Sequence, residues 1–255
     1  MQQLTIVKVG GKIVEDQELL STFLKDFALI AGDKILIHGG GHSATLIAEK
    51  LGIETKMVEG RRITDEEMLK VATMVYAGLV NKKIVAQLQK LKVDAIGLTG
   101  ADMNLILAEK RPVIGIDYGY AGDVKKVNAL AFIELLKQNY LPVIAPLTHD
   151  GNGNLLNTNA DTIAAETAKA LAFDYSVRLI YCFEKRGVLL NESDEESIIP
   201  VLDYELFQQY KDEGIIKSGM IPKLDNAFRA IASGVKEVII TNASEINAGK
   251  GTFLR

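Results

Sequence analysis

The chain has 255 residues, of which 48% are hydrophobic and 24% charged, with a formal net charge of −4 at pH 7. That balance belongs to an ordinary globular protein able to bury a full core, as one large α/β domain or two modest lobes. The lack of a long basic run argues against nucleic acid or an anionic membrane surface as partner. One cysteine, Cys182, excludes a disulfide framework within the chain and is expected to be a buried structural thiol. No apolar segment reaches the ~20 residues that span a bilayer. The chain opens on Leu4-Thr5-Ile6-Val7 without a charged leader, so the expected compartment is the cytoplasm.

In chain order, residues 4–9 predict a buried strand ending in Lys8-Val9-Gly10-Gly11-Lys12, with a helix over 15–31. A second strand, 34–37, runs into His38-Gly39-Gly40-Gly41-His42-Ser43 and a helix over 43–51. Residues 56–63, rich in glycine and charge, predict a hairpin projecting from the sheet. The long helix over 65–91 is expected to open with the capping box Thr64-Asp65-Glu66-Glu67. A strand at 94–98, a second projecting hairpin within 105–127, a helix at 128–138 and a strand at 142–146 follow. In the run Leu155-Leu156-Asn157-Thr158-Asn159-Ala160-Asp161 a strand is expected to become a helix over 160–172, with Asn159 or Asp161 as its cap. The chain closes with a strand at 177–182, helices at 202–211 and 219–233, and a strand at 237–241. Nearly continuous apolar strands alternating with helices predict an open, mainly parallel α/β sheet with helices on both faces. A change of lobe is expected near residues 173–175.

Ligands of such sheets sit outside the carboxyl ends of the strands, which is where the glycines fall. Glycine lets an anion approach bare backbone, and the following helix start offers free N–H groups. Two such turns on early strands describe amide-lined anion cradles, although one glycine-rich turn alone is equally a tight connection. Lys8, near the end of an apolar strand, needs an anionic partner. Neither turn is a Walker loop, and Gly249-Lys250-Gly251-Thr252 lacks that spacing too. Gly39-Gly40-Gly41-His42-Ser43-Ala44 fits a dinucleotide fingerprint, with Glu59 about twenty residues on. Glu59, however, falls in the hairpin region, and that reading leaves Lys8 unexplained. Three scattered histidines, His38, His42 and His149, give no metal-ligand spacing and no nucleophilic triad.

Lys8-x-Gly10-Gly11, His38-Gly39-Gly40-Gly41, Gly60-Arg61-Arg62-Ile63-Thr64, Asn157-x-Asn159-Ala160-Asp161 and Gly219-Met220-Ile221-Pro222-Lys223 resemble the N-acetylglutamate kinases of the amino acid kinase family. The resemblance covers nearly the whole chain. It implies a three-layer αβα sandwich around a mainly parallel sheet, in two lobes. Residues 1–175 would bind an N-acyl-L-glutamate and dimerise, and residues 176–255 would bind ATP with Mg²⁺. The implied reaction is phosphorylation of the γ-carboxylate to an acyl phosphate, the second step of arginine biosynthesis. Lys8, Lys223 and Asp161 are the implied catalytic residues. Gly40, Gly41, Arg62 and Asn157 would hold the substrate, with Arg62 on its α-carboxylate and Arg61 a solvated charge. Gly11, Glu184, Gly187, Ile216 and Lys217 would serve ATP, and no residue is implied as a direct metal ligand. Without the resemblance, Lys223 reads as a surface lysine on a helix.

Two segments depart from the family pattern. Cys182-Phe183-Glu184-Lys185-Arg186-Gly187-Val188 stands where relatives carry a Ser/Thr-Asp-Val-x-Gly turn, which implies an altered nucleotide pocket. Gly97-Leu98-Thr99-Gly100-Ala101-Asp102-Met103 stands where many carry Gly-Lys-Asp-Gly, which leaves an N-succinyl substrate as the alternative. The N-terminal helical extension of arginine-inhibited members is also missing, so weak or absent inhibition by arginine is expected. Two other classes stay open: a kinase of the same superfamily acting on aspartate, glutamate, carbamate or UMP, and a catalytically silent binding protein. The Gly60–Thr64 and Asn157–Asp161 motifs favour the acylglutamate branch, and retention of Lys8, Asp161 and Lys223 together speaks against silence.

Overall fold

The computed structural model describes every residue except Glu59, Gly60, Glu192 and Ser218. Glu59 of the dinucleotide alternative and Gly60 of the arginine motif therefore lie outside the described residues.

The chain begins with β1 (Gln3–Val9), α1 (Gly11–Glu15), α2 (Gln17–Ala28), β2 (Asp33–His38) and α3 (Gly41–Lys50). A short antiparallel pair, β3 (Met57–Val58) and β4 (Arg61–Arg62), precedes α4 (Glu66–Thr73). That helix continues through a π-helical segment (Met74–Val80) into α5 (Asn81–Lys90). Next come β5 (Ala95–Leu98), β6 (Ile106–Lys110), β7 (Ala121–Val127), α6 (Ala129–Lys137), β8 (Leu141–Ile144), β9 (Leu147–His149), β10 (Leu155–Thr158) and α7 (Ala160–Leu171). The last stretch holds β11 (Ser176–Phe183), β12 (Val201–Leu202), α8 (Tyr204–Asp212), α9 (Ile221–Ala232), β13 (Glu237–Asn242) and β14 (Thr252–Leu254).

Eight strands form one sheet in the order β12-β14-β13-β11-β1-β2-β8-β5, parallel from β13 to β5, with β14 antiparallel to β13. All six expected core strands are in it. The two segments expected as hairpins do pair antiparallel. The second, β6 with β7, is closed into a four-stranded ring by β9 and β10. β9 was not expected, because Leu147-Thr148-His149 is too short and polar to show a strand period, whereas β10 is the strand expected to run into the helix over 160–172.

Alternation along β1 sorts the core into two layers. Leu4 and Ile6 join a cluster with α6, α7 and α9, while Val7 and Val9 pack with α2, α3 and α5. Helices therefore cover both faces of the sheet. Lys8 shares the parity of Leu4 and Ile6, so it points into the layer of α7 and α9. β11 repeats the pattern, placing Tyr181 and Phe183 in that same layer and Cys182, fully buried, in the other.

Several local expectations are corrected. The expected capping box is absent: Asp65, not Thr64, caps α4 by accepting from Met68 N at 2.8 Å, and Glu67 pairs instead with Lys70. The Thr64 hydroxyl is drawn away because Asn157 Nδ2 donates to it at 2.9 Å. The helix expected over 15–31 is split by Asp16, whose carboxylate accepts from Glu18 N and Leu19 N and starts α2 afresh. Leu202 belongs to β12, and the helix after it starts at Tyr204, capped by Asp203.

Candidate active site

The glycine turns follow adjacent strands. Val9 and His38 are register partners, so Gly10-Gly11 and Gly39-Gly40-Gly41 emerge side by side. Gly39 N donates to Val9 O at 3.2 Å, and Gly10 N donates to Cys182 O at 2.9 Å, tying the first turn to β11 as well. Glu15 Oε1 accepts from Ser43 N at 2.8 Å and joins the helices that follow. The approach leaves little room for side chains: a Cβ on Gly39 would lie 3.2 Å from Gly11 N, and one on Gly40 3.2 Å from the Tyr76 ring. Gly40 also sits at φ 153°, a conformation that favours glycine.

Beside the second turn lies a cavity of about 210 Å³, whose lining includes Gly40, Gly41, Arg62, Asn157, Tyr76 and Arg111. Such a volume is below the ~300 Å³ of sites for drug-sized ligands and suits one of amino-acid size. Gly39–Gly41 at the start of α3, and Asn159 and Ala160 at the start of α7, also face it. Two helix N-termini thus favour an anion there. Arg62 Nη2 donates to Gly41 O at 2.7 Å and to Thr45 Oγ1 at 2.8 Å, which braces the guanidinium against α3. Arg61, expected as a solvated charge, is exposed and yet lines the same cavity, while Arg111 is paired with Asp123. Asn159 caps α7, its Oδ1 accepting from Thr162 N at 3.0 Å.

The first turn of α7 carries Asp161 back toward the sheet. Lys8 Nζ lies 2.8 Å from Asp161 Oδ1, and both residues are only 7% exposed. The contact is an ion pair rather than a directed hydrogen bond. Tyr181, the register partner of Lys8, donates from its hydroxyl to Asp161 O at 3.2 Å and steadies this turn. Lys223 enters from α9. Its ammonium lies 3.9 Å from the centre of the Phe183 ring, and that of Lys8 lies 4.7 Å from the same centre. Burial holds the Lys223 pKa below its ordinary 10.5; Asp161 and Glu184 pull it up, and Lys8 pushes it down. Two cations thus share one ring, and Asp161 is ion-paired with Lys8 while acting on Lys223 through its charge.

The residues expected at the nucleotide are more dispersed. Gly11 lies against the Gly40 and Gly41 amides, and Glu184 Oε1 is 3.8 Å from Lys12 Nζ. Gly187 packs inward, where a Cβ would lie 2.7 Å from Thr252 Oγ1. Ile216 is buried in the core, and Lys217 accepts at its carbonyl from Met220 N at 2.9 Å just before α9. Among the described residues no three His, Cys, Asp or Glu side chains group as metal ligands, and no helix is long and apolar enough to cross a membrane.

Sequence reasoning missed Phe183 and Tyr76 as parts of this site. Strand parity carries a signal for Phe183, two residues beyond the partner of Lys8. Nothing in the periodicity of a long helix singles out Tyr76.

His38 is fully buried, which pushes its pKa from 6.5 down to about 4. Between those values the unfolded chain takes up a proton that the folded chain refuses, so stability falls as pH drops from 6.5 and levels off below about 4. The loss amounts to about 3 kcal/mol. Denaturant unfolding of wild type and His38→Gln across this range should show the stability difference between them shrinking by about that amount. A constant difference would mean that the ring accepts a proton in the fold.

The amino acid kinase family matches residues 3–242. The acetylglutamate kinase of Parabacteroides distasonis is 63% identical over 252 residues, covering 99% of this chain and 99% of that protein. The acetylglutamate kinase of Methanopyrus kandleri is 40% identical over 256 residues, covering 99% and 100%. Among solved structures, smu.665 from Streptococcus mutans UA159 superposes with a TM-score of 0.82 at 27% identity, covering 98% of each chain.

Proposed function

The chain belongs to the amino acid kinase family, and we propose from that membership that it transfers the γ-phosphoryl group of ATP to the γ-carboxylate of N-acetyl-L-glutamate. The product is an acyl phosphate, and the step is the second of arginine biosynthesis. The observation that carries the reading is the buried Lys8–Asp161 pair at the start of α7, next to an anion-favouring pocket and below two glycine turns.

A carboxylate is already ionised at neutral pH, so the reaction needs no general base. One carboxylate oxygen forms a bond to the γ-phosphorus while the bond from that phosphorus to the bridging oxygen breaks, and ADP leaves with the electron pair. The barrier is the meeting of two anions, which fixed charges and positioning lower. Lys8 and Lys223 supply the cations and Asp161 holds them. Gly40 and Gly41 N–H groups and Asn157 receive the substrate, and Arg62 binds its α-carboxylate with a planar fork. Gly11, Glu184, Gly187, Ile216 and Lys217 form the nucleotide side. In this arrangement residues 1–175 carry the acyl substrate and residues 176–255 carry ATP. Mg²⁺ fits here as an ion brought by the nucleotide phosphates, as is usual for that cation, and it lowers their charge. The compartment proposed for this reaction is the cytoplasm, where ATP is available. A homodimer would find apolar surface at Leu46, Met74 and Leu79, each about half exposed.

Incubation with Mg-ATP and hydroxylamine traps an acyl phosphate as its hydroxamate. The expected result is hydroxamate from N-acetylglutamate and little from glutamate or aspartate. No hydroxamate from any of them overturns the reading, and a preference for N-succinylglutamate would replace the acyl group.

A further inference from the structure

Beneath the second glycine turn lies a buried polar chain that the reaction above does not use. His38, at the end of β2, is 0% exposed, and Asn81, the first residue of α5, is 1% exposed. Asn81 Nδ2 lies 2.9 Å from Val143 O and 3.1 Å from His38 Nε2, and His38 Nδ1 lies 2.7 Å from Gly39 O. The protons on this chain follow from chemistry. A carbonyl only accepts, so the amide nitrogen of Asn81 must face Val143 O, and its second N–H then points at Nε2. Burial keeps the ring neutral. A neutral ring that accepts at Nε2 carries its proton on Nδ1 and donates it to Gly39 O.

That last bond sets the peptide between Gly39 and Gly40. In a trans peptide the C=O and N–H point in opposite directions. Holding the Gly39 carbonyl against His38 therefore turns the Gly40 N–H the other way. Among the described residues that N–H meets no acceptor, and Gly40 lines the acyl-substrate pocket. With no side chain on either residue, the peptide needs something to stop it rotating.

Stability alone does not account for an amide at position 81. Among the described residues Asn81 Oδ1 is buried without a hydrogen-bond partner, which costs about 1–3 kcal/mol. The side chain also demands a glycine opposite, since a Cβ on Gly97 would lie 1.9 Å from Oδ1. The π-helical segment ends next to Asn81, and such a segment inserts a residue and resets which side chains face inward. Tyr76 and Val80 of that segment pack where a Gly40 Cβ would be, so the same helix closes both sides of the turn.

We propose that Asn81 and His38 are positioning residues, a buried relay that fixes the Gly39–Gly40 peptide and aims the Gly40 N–H at the developing charge on the acyl substrate. The inference rests on the function proposed above, with the relay geometry separately measurable. Long-range ¹H–¹⁵N spectra of the full chain, assigned by His→Gln variants at 38, 42 and 149, report the His38 tautomer directly. The expected signal is a protonated Nδ1 and a bare Nε2, the reverse of the form free imidazole side chains prefer. A protonated Nε2 in the wild type overturns the relay.

Asn81→Leu removes the donor at similar volume. It should lower kcat about tenfold with little change in KM for ATP, because a misaimed donor loses part of what deleting one costs. A kcat per folded molecule equal to wild type, with only a shifted thermal midpoint, assigns Asn81 to structure alone and overturns the proposal. Should the variant not fold, the tautomer of the wild type still decides. Absence of hydroxamate from wild type with N-acetylglutamate defeats the functional reading and leaves the tautomer result standing.

Discussion

Lys8→Met should lower kcat by about 10²–10³-fold, the scale of removing one charge-stabilising group from a preorganised site. Methionine keeps the unbranched stem that fills the layer between β1 and α7 and removes only the ammonium. The loss should appear in kcat more than in KM for N-acetylglutamate, because in the proposed reaction the ammonium acts on charge that moves during transfer. Removing it also strands the Asp161 carboxylate, which is 7% exposed and has Lys8 as its ion-pair partner among the described residues. A broken buried pair of this kind costs about 3 kcal/mol. The double variant Lys8→Met with Asp161→Asn separates the two effects. It should recover much of the lost stability and none of the lost turnover. Turnover of Lys8→Met near the wild-type rate would remove Lys8 from the chemistry.

Asp161→Asn should lower kcat by about 10²-fold and move its alkaline limb to lower pH. Asparagine keeps an oxygen near Lys8 and deletes the charge; the helix cap is untouched, since that duty belongs to Asn159. Burial already holds Lys223 below its ordinary value, and Asp161 is the largest influence opposing that. Without it the Lys223 pKa falls further. The ammonium is lost as pH rises through that lowered value, so activity fades earlier on the alkaline side. The profile of kcat between about pH 6 and 10 measures this directly. An unmoved limb would mean that Asp161 serves the site by shape and not by charge.

Much of this site could be read before the chain was folded, and the reasons are local. A lysine in an apolar strand requires an anion, and glycines after two successive strands require a close backbone approach. Both requirements arise within a few residues, so Lys8, Gly11, Gly40 and Gly41 stand out unaided. Asn159 was legible as a cap for the same reason. Lys223 was not: on α9 it resembles any surface lysine, and only packing against Phe183 and burial distinguish it. The capping box at Thr64 failed because a residue 93 positions away competes for that hydroxyl. The ring of β6, β7, β9 and β10 was half seen, since a hairpin is a local pattern and its closure by two short polar strands is not.

By itself the sequence determined the strand–helix alternation, the need of Lys8 for an anionic partner, and the two amide-lined turns, because each follows from a period, a burial requirement or a backbone preference contained in one segment. The tertiary structure alone decided that Asp161, 153 positions from Lys8, would meet it at 2.8 Å, that Phe183 would lie beneath both ammonium groups, and that Asn81 would reach His38 under the glycine loop. Those contacts join segments far apart in the chain, and their register is set by how whole helices pack on the sheet, which no single stretch encodes.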